Sequence, residues 1–207
     1  MTREEQYKAT LAKYLPLEAV DDVFVFLTQT NQVKMRITPR RNSKLGDYRW
    51  PQPEHPYHEI SVNGNLNPYL FLWVLLHEMA HLKTHKLYGT RVQPHGHEWQ
   101  QEYARLLANY QFPPDIEKLK QRYIRRIPLK RQLMLDIEAQ LHHYDPDYKQ
   151  EDYLMVKNLE PGTRFCIKGQ NDRIFKLEER VRTRFKCLDE ADGRRYLITG
   201  SALVEEI

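Results

Sequence analysis

The chain reads as an α+β protein in two parts, a mixed first half of helices on a small sheet and a small all-β tail. Three features of the sequence lead there. Apolar residues recur at helical spacing, with matching caps, over much of residues 3–112. Two alternating stretches, Val33 to Ile37 and Ile60 to Val62, interrupt those helices and read as strands. Beyond Glu151 the texture changes to short runs rich in Phe, Val, Ile and Tyr, broken by Pro161-Gly162, Gly169-Gln170-Asn171-Asp172, Asp192-Gly193 and Gly200. The expected divisions are 1–112 for the core, 113–150 for a basic helical connector and 151–207 for a small β-barrel-like module.

Each element has its own signal. Thr2 with Glu5 forms a capping box, and Tyr7, Leu11, Tyr14 and Leu15 share one helical face before Pro16 ends the run. A second helix from about Leu17 to Thr28 carries Val20, Val23, Phe24 and Leu27. Val33, Met35 and Ile37 then alternate with Lys34, Arg36 and Thr38. Residues 39–56 read as a basic loop, and Asn63-Gly64 closes the second strand. Asn67 and Pro68 are good cap and first-turn residues for a helix that is apolar almost all round and stops at Gly89. Trp99, Tyr103, Leu106, Leu107 and Tyr110 mark the next helix, closed by Pro113-Pro114. Two further helices divided by Pro128 carry Lys118, Lys120, Arg122, Arg125 and Arg126.

Composition excludes several classes. With 207 residues, 41% hydrophobic and 11% aromatic, the chain can build a real core, so global disorder is excluded. Its formal net charge of +4 suits anionic partners without specifying one. The longest apolar run, Leu70 to Leu76, falls far short of the roughly 20 residues a bilayer demands. The first residues are charged and lack an apolar segment, so an intracellular, cytoplasmic protein with no secretory signal is expected. Two cysteines are too few for a disulfide scaffold or a four-cysteine zinc ribbon and read as free buried thiols.

The chemistry is concentrated in residues 77–81, His-Glu-Met-Ala-His. On a helix, histidines four apart share a face and can grip one ion while the glutamate sits beside it, the arrangement of zinc hydrolases. Two histidines and a glutamate inside so apolar a helix are costly unless something pairs with them; satisfied core histidines with no metal are the alternative. A catalytic zinc needs a third protein ligand. His85 continues the spacing but stands about 12 Å along the axis from His77, too far for one ion. The loop after Gly89 can return His95, His97 or Glu98, and spacing does not choose among them.

The motif followed by Tyr88-Gly89 and by Val92-Gln93-Pro94-His95-Gly96-His97-Glu98-Trp99 resembles the SprT-like metalloprotease family, which includes the Spartan DNA-protein crosslink proteases. The resemblance covers roughly residues 5–112. It implies a zincin-like core and identifies His95, in a pattern like Pro-His-Gly-x-Glu-Trp, as the third zinc ligand beside His77 and His81. It also implies peptide-bond hydrolysis with Glu78 as general base, and substrates that include proteins on DNA, with DNA as recruiter or activator. Many bacterial members carry a zinc ribbon with paired CxxC knuckles; this chain has none, and residues 151–207 stand in its place. Two other readings remain: a non-catalytic DNA-associated or regulatory protein with a structural metal, and a zinc peptidase with no link to DNA.

Four further groups of residues invite a role. Phe165, Phe175, Phe185 and Tyr196, flanked by Arg164, Arg173, Arg180, Arg182, Arg184, Arg194 and Arg195, suit either a stacking platform for single-stranded nucleic acid or a barrel core with a solvated arginine face. Lys34, Arg36, Arg40, Arg41, Lys44 and Arg49, interleaved with Tyr48 and Trp50, suit phosphate contact or a plain solvated loop. Tyr88 and Tyr103 are candidate oxyanion donors. His55 with His58, and His142 with His143, are not expected to hold metal.

Overall fold

The first helix begins where its cap places it. The Thr2 hydroxyl accepts from Glu5 N at 3.1 Å while the Glu5 carboxylate accepts from Thr2 N at 2.7 Å, opening α1 (Arg3–Leu11). The structure, a computed structural model, describes residues 2–41, 43–125, 128, 131–147, 154–168, 170–182, 184–200 and 202–207. Arg126, Gly169 and the expected division at 150/151 lie outside the described residues. The chain divides into two units, Met1–Asp145 and Pro146–Ile207, each with its own apolar core.

In the first unit a tight 3-10 turn at Leu17–Ala19 leads into α2 (Val20–Gln29), which buries Val20, Val23 and Leu27. Three strands follow, β1 (Val33–Thr38), β2 (Gly46–Arg49) and β3 (His58–Asn63), in the order β1-β3-β2. β3 is central, parallel to β1 and antiparallel to β2. β2 corrects the expectation of an uninterrupted loop over 39–56. Its cause is tertiary: the Asn63 amide donates to the carbonyls of Arg41 and Lys44 at 3.2 and 3.1 Å, and Arg41 donates to Asn63 Oδ1 at 2.7 Å and Ser61 Oγ at 3.0 Å. These bonds fold the loop back until residues 46–49 pair with β3.

α3 (Pro68–Tyr88) crosses this sheet as the buried helix the sequence foresees. Asn67 Oδ1 accepts from the amides of Tyr69 and Leu70 at 3.1 and 3.0 Å, Pro68 sits in the first turn, and Gly89 at φ +66° ends the helix. Every residue from Leu70 to Leu76 is buried, packed with Ile60 and Val62 of β3. α4 (His97–Ala108) packs on α3, followed by α5 (Pro114–Ile124) and α6 (Arg131–Leu141). The last two helices fall in the stretch read as a connector, yet Ile116, Tyr123, Ile137 and Leu141 join the core of the first unit. Lys120 is only 1% exposed; its Nζ donates to Tyr110 O at 2.5 Å and pairs with Glu117 at 2.9 Å.

The second unit is an antiparallel sheet of β4 (Arg164–Ile167), β5 (Gln170–Val181), β6 (Arg184–Asp189), β7 (Arg195–Thr199) and β8 (Val204–Glu206), in the order β7-β6-β5-β4-β8. With β7 and β8 as its two edges it is an open sheet among the described residues, where a barrel-like closure is expected from the sequence. Phe165, Phe175 and Phe185 are buried in its core, with the first two stacked on each other at 5.8 Å, so the aromatic platform is not formed. Strand alternation turns them inward and leaves the arginines outside. Cys166 and Cys187 are free and buried. No helix among the described residues is long and apolar enough to cross a membrane.

Candidate metal centre

His77 and His81 project from one face of α3, one turn apart. The third imidazole arrives on a tight turn, Gly96 N donating to Gln93 O at 2.8 Å, in which His95 adopts φ +59°. Gln100 Nε2, on the first turns of α4, holds the His95 carbonyl at 3.0 Å. The three Nε2 atoms stand 3.0 Å (His77 to His95), 3.0 Å (His81 to His95) and 3.3 Å (His77 to His81) apart. Nitrogens about 2.1 Å from one tetrahedral ion are separated by about 3.4 Å, close to this triangle. Among the described residues this is the one group of side chains suited to a metal ion.

The electrostatics favour a cation. Burial first, then the neighbouring histidines, pull the His77 imidazole down to about 3; burial and His95 pull His81 down to about 4, and His95 is lowered too. The rings are therefore neutral at physiological pH, the form that ligates metal. Three neutral rings cannot all satisfy one another through a single vertex, because each Nε2 not carrying a proton presents a lone pair to its neighbours. A positive ion at their centre satisfies all three. Trp99 packs against the triad at 4.6 Å from His77, 5.3 Å from His81 and 4.6 Å from His95, ring centre to ring centre, fixing their orientation.

Glu78 is buried beside the triad, with its carboxylate against β2. A Cβ added at Gly46 would lie 2.6 Å from Glu78 Oε1 and 2.7 Å from Val74 Cγ1, so only glycine admits so close an approach. Burial, reinforced by the Asp47 carboxylate and opposed by Arg41 and Lys44, raises the Glu78 carboxyl to about 8. A cation at the histidines acts in the other direction and favours the carboxylate. Glu78 and the triad line one cleft of about 500 Å³, together with Tyr48, Trp50, His85, Val92 and Pro94.

The remaining candidates separate cleanly. His97 opens α4 and, with Glu98, stands outside the triad. Tyr103 is fully buried, its ring 5.5 Å from His77 and its hydroxyl directed to Trp73 O, so it is packing and not an oxyanion donor. Tyr88 is exposed at the last residue of α3 and does not line the cleft. His58 Nδ1 bonds the Tyr48 hydroxyl at 2.8 Å, His55 packs on Tyr57, and His142 pairs with Asp145 at 2.8 Å. Several cations of the basic loop have partners within the fold: Lys44 and Arg49 share the one carboxylate of Asp47, Arg36 pairs with Glu59, and Arg41 donates to Asn63 while keeping its charge. Tyr48 and Trp50 are expected from the sequence as aromatics interleaved with the basic loop, whereas Gly46 is not expected, having no local signal.

Residues 16–118 match the SprT-like family. Among characterised proteins the chain is similar to Protein SprT of Pseudomonas putida, 31% identical over 105 residues (39% of this chain, 62% of that protein). It is also similar to two examples from Pseudomonas fluorescens, at 42% over 59 residues (25% and 34%) and 51% over 39 residues (19% and 22%). In each case the similarity spans less than two thirds of the relative. No solved structure matches the chain.

Proposed function

The chain belongs to the SprT-like family through residues 16–118, and from that premise we propose that it is a zinc-dependent metalloendopeptidase with a zincin-like core. The observation that carries this reading is the convergence of His77, His81 and His95 through one nitrogen each, with a buried carboxylate alongside. The chemistry that a zinc ion supplies in such a site is Lewis acidity, which brings the pKa of water down to about 7 and polarises a carbonyl.

The chain's own residues do the rest. Glu78, shielded from bulk water and held against Gly46, takes the proton of the attacking water and delivers it to the leaving amine. Trp99 locks the three imidazoles, so that they need not reorganise during the reaction. The outer edge of β2 has no strand neighbour among the described residues and lies beside the cleft. An extended polypeptide can add to such an edge through main-chain hydrogen bonds, which suits a protein substrate.

The test is a pair of variants. Metal measured by mass spectrometry should give about one zinc per chain in the native protein and in Glu78→Gln, and far less in His95→Ala. Glu78→Gln should lose peptide cleavage; if it retains every activity of the native chain, the site is structural and the hydrolase reading is withdrawn.

Proteins held on DNA are the substrates we propose, and the second unit lends this support. Arg164, Arg173 and Arg195 are paired with Glu190, Asp189 and Glu178, whereas Arg180, Arg182 and Arg184 stand exposed around the β5–β6 hairpin tip with no acidic partner among the described residues. Cleavage should then rise on adding DNA at low salt and lose that stimulation at high salt or in Arg182→Glu/Arg184→Glu. Cleavage indifferent to DNA at every salt concentration would point to a peptidase with no nucleic-acid link.

A further inference from the structure

Beyond the metal, the cleft has a second feature that folding alone does not explain. β2 and α3 run alongside each other in step. Residues two apart on a strand advance about 6.6 Å, and residues three or four apart on a helix advance about 4.5–6 Å, so side chains on one face of β2 meet successive positions along α3. Gly46 lies against Glu78, Tyr48 stacks over His81 at 6.3 Å with planes 2° apart, and Trp50 stacks over His85 at 6.1 Å with planes 11° apart. The first two contacts belong to the reaction centre. The third lies beyond it, next along the helix.

Trp50 is 47% exposed although it is the largest side chain type, and it lines the same cleft as the triad as well as a neighbouring pocket with Gln52 and His55. Its orientation is fixed rather than loose: His85 backs it, His85 in turn meets His58 edge-on at 5.6 Å, and His58 holds the Tyr48 hydroxyl at 2.8 Å. Thr84, one residue before His85, also lines the cleft; it is 5% exposed and its Oγ1 has no partner among the described residues. A rigid aromatic face, half exposed on the wall of the cleft, is the apolar surface of a side-chain subsite; the Thr84 hydroxyl, closed off from solvent, is no part of it.

We infer that Trp50 and His85 form a specificity subsite for an aromatic side chain of the bound polypeptide, within one or two residues of the scissile bond. This rests on the hydrolase reading above. The occupant is aromatic because the open face of Trp50, backed by His85, is flat, and offset stacking on it rewards a planar group over a branched aliphatic one. A negatively charged occupant is disfavoured, since the exposed indole face is itself electron-rich.

The test separates this subsite from the hydrolase reading by measuring binding and cleavage independently. Blocked peptides differing only in Phe or Ala, with that residue scanned through successive positions, are titrated against zinc-loaded Glu78→Gln protein and also offered to the active chain. At one position Phe should bind about tenfold tighter than Ala, the size expected of aromatic stacking with burial. Adding Trp50→Ala should bring the Phe-to-Ala ratio to near unity, and Trp50→Phe should restore part of it, with zinc content unchanged in both. Preference in binding that disappears with Trp50, without any cleavage by the active chain, leaves the subsite standing and removes the hydrolase reading. Cleavage with no Phe preference at any position, or a preference indifferent to Trp50→Ala, removes the subsite and leaves the hydrolase reading. Neither binding nor cleavage of any peptide overturns both.

Discussion

Glu78 illustrates how a single position depends on its neighbour across the fold. Its carboxylate occupies space that exists only because residue 46 has no side chain. Gly46→Ala forces either β2 outward or Glu78 sideways, and overpacking of this kind costs about 1–3 kcal/mol. Because a misplacement near 1 Å at a reacting group lowers rates by roughly 100-fold, we expect Gly46→Ala to lose most cleavage while retaining its zinc. Steady-state kinetics beside metal analysis checks both halves. His77, Glu78 and His81 were legible from spacing alone, since helical geometry is local. His95 was not: His95, His97 and Glu98 lie within four residues, and a turn with a left-handed residue decides which one faces α3. Gly46 had no local signal either, because the atoms that exclude a Cβ come from residues 28 and 32 positions away.

At the scale of the element, α3 holds the site because both its ends are fixed. Asn67 caps its first turn, and the same amide also donates to Leu141 O at 2.8 Å and to Asp145 at 2.6 Å, tying α3 to the end of α6. Asn67→Ala removes a cap and leaves a buried carbonyl without its donor. The expected loss is about 2–3 kcal/mol, read from urea denaturation as a lowered midpoint with an unchanged slope. Asn67, Pro68 and Gly89 could all be read from the sequence, because capping chemistry resides in the residues themselves. β2 could not. Four residues are too short to show a period, and the hydrogen bonds of Arg41 and Asn63 that create the strand are long-range. The basic residues of α5 misled in a different way: Lys120 looks solvent-facing by type, yet its ammonium is satisfied inside the protein.

Over the whole molecule, the two cores make different demands on the metal. The triad ties only elements of the first unit, and the core of the second contains none of its ligands. Zinc binding to the folded state alone stabilises by about 4 kcal/mol when free zinc exceeds its dissociation constant 1,000-fold. Calorimetry with and without chelator should therefore move the transition of Met1–Asp145 and leave that of Pro146–Ile207 in place. The change of texture after residue 151 announced a β unit, but the pattern of alternating Phe and Arg served equally for a platform or a core. Only the pairing of β4, β5 and β6 turns Phe165, Phe175 and Phe185 to the same buried face.

The turn that carries His95 has a further consequence. It connects to His81 through a segment of chain that includes Gly89, exposed Thr90 and Arg91, and Pro94, and an ion held by the triad would also join it to His81 directly. An ion shared by His81 and His95 is thus a removable cross-link closing a short loop, the analogue of a disulfide of similar span, whose entropic effect is about 3 kcal/mol. Stripping the ion should release that loop while the rest of α3 and α4 stays folded. Trypsin should then cut after Arg91 in the metal-free chain much faster than in the metal-bound one, making a single nick a direct gauge of occupancy.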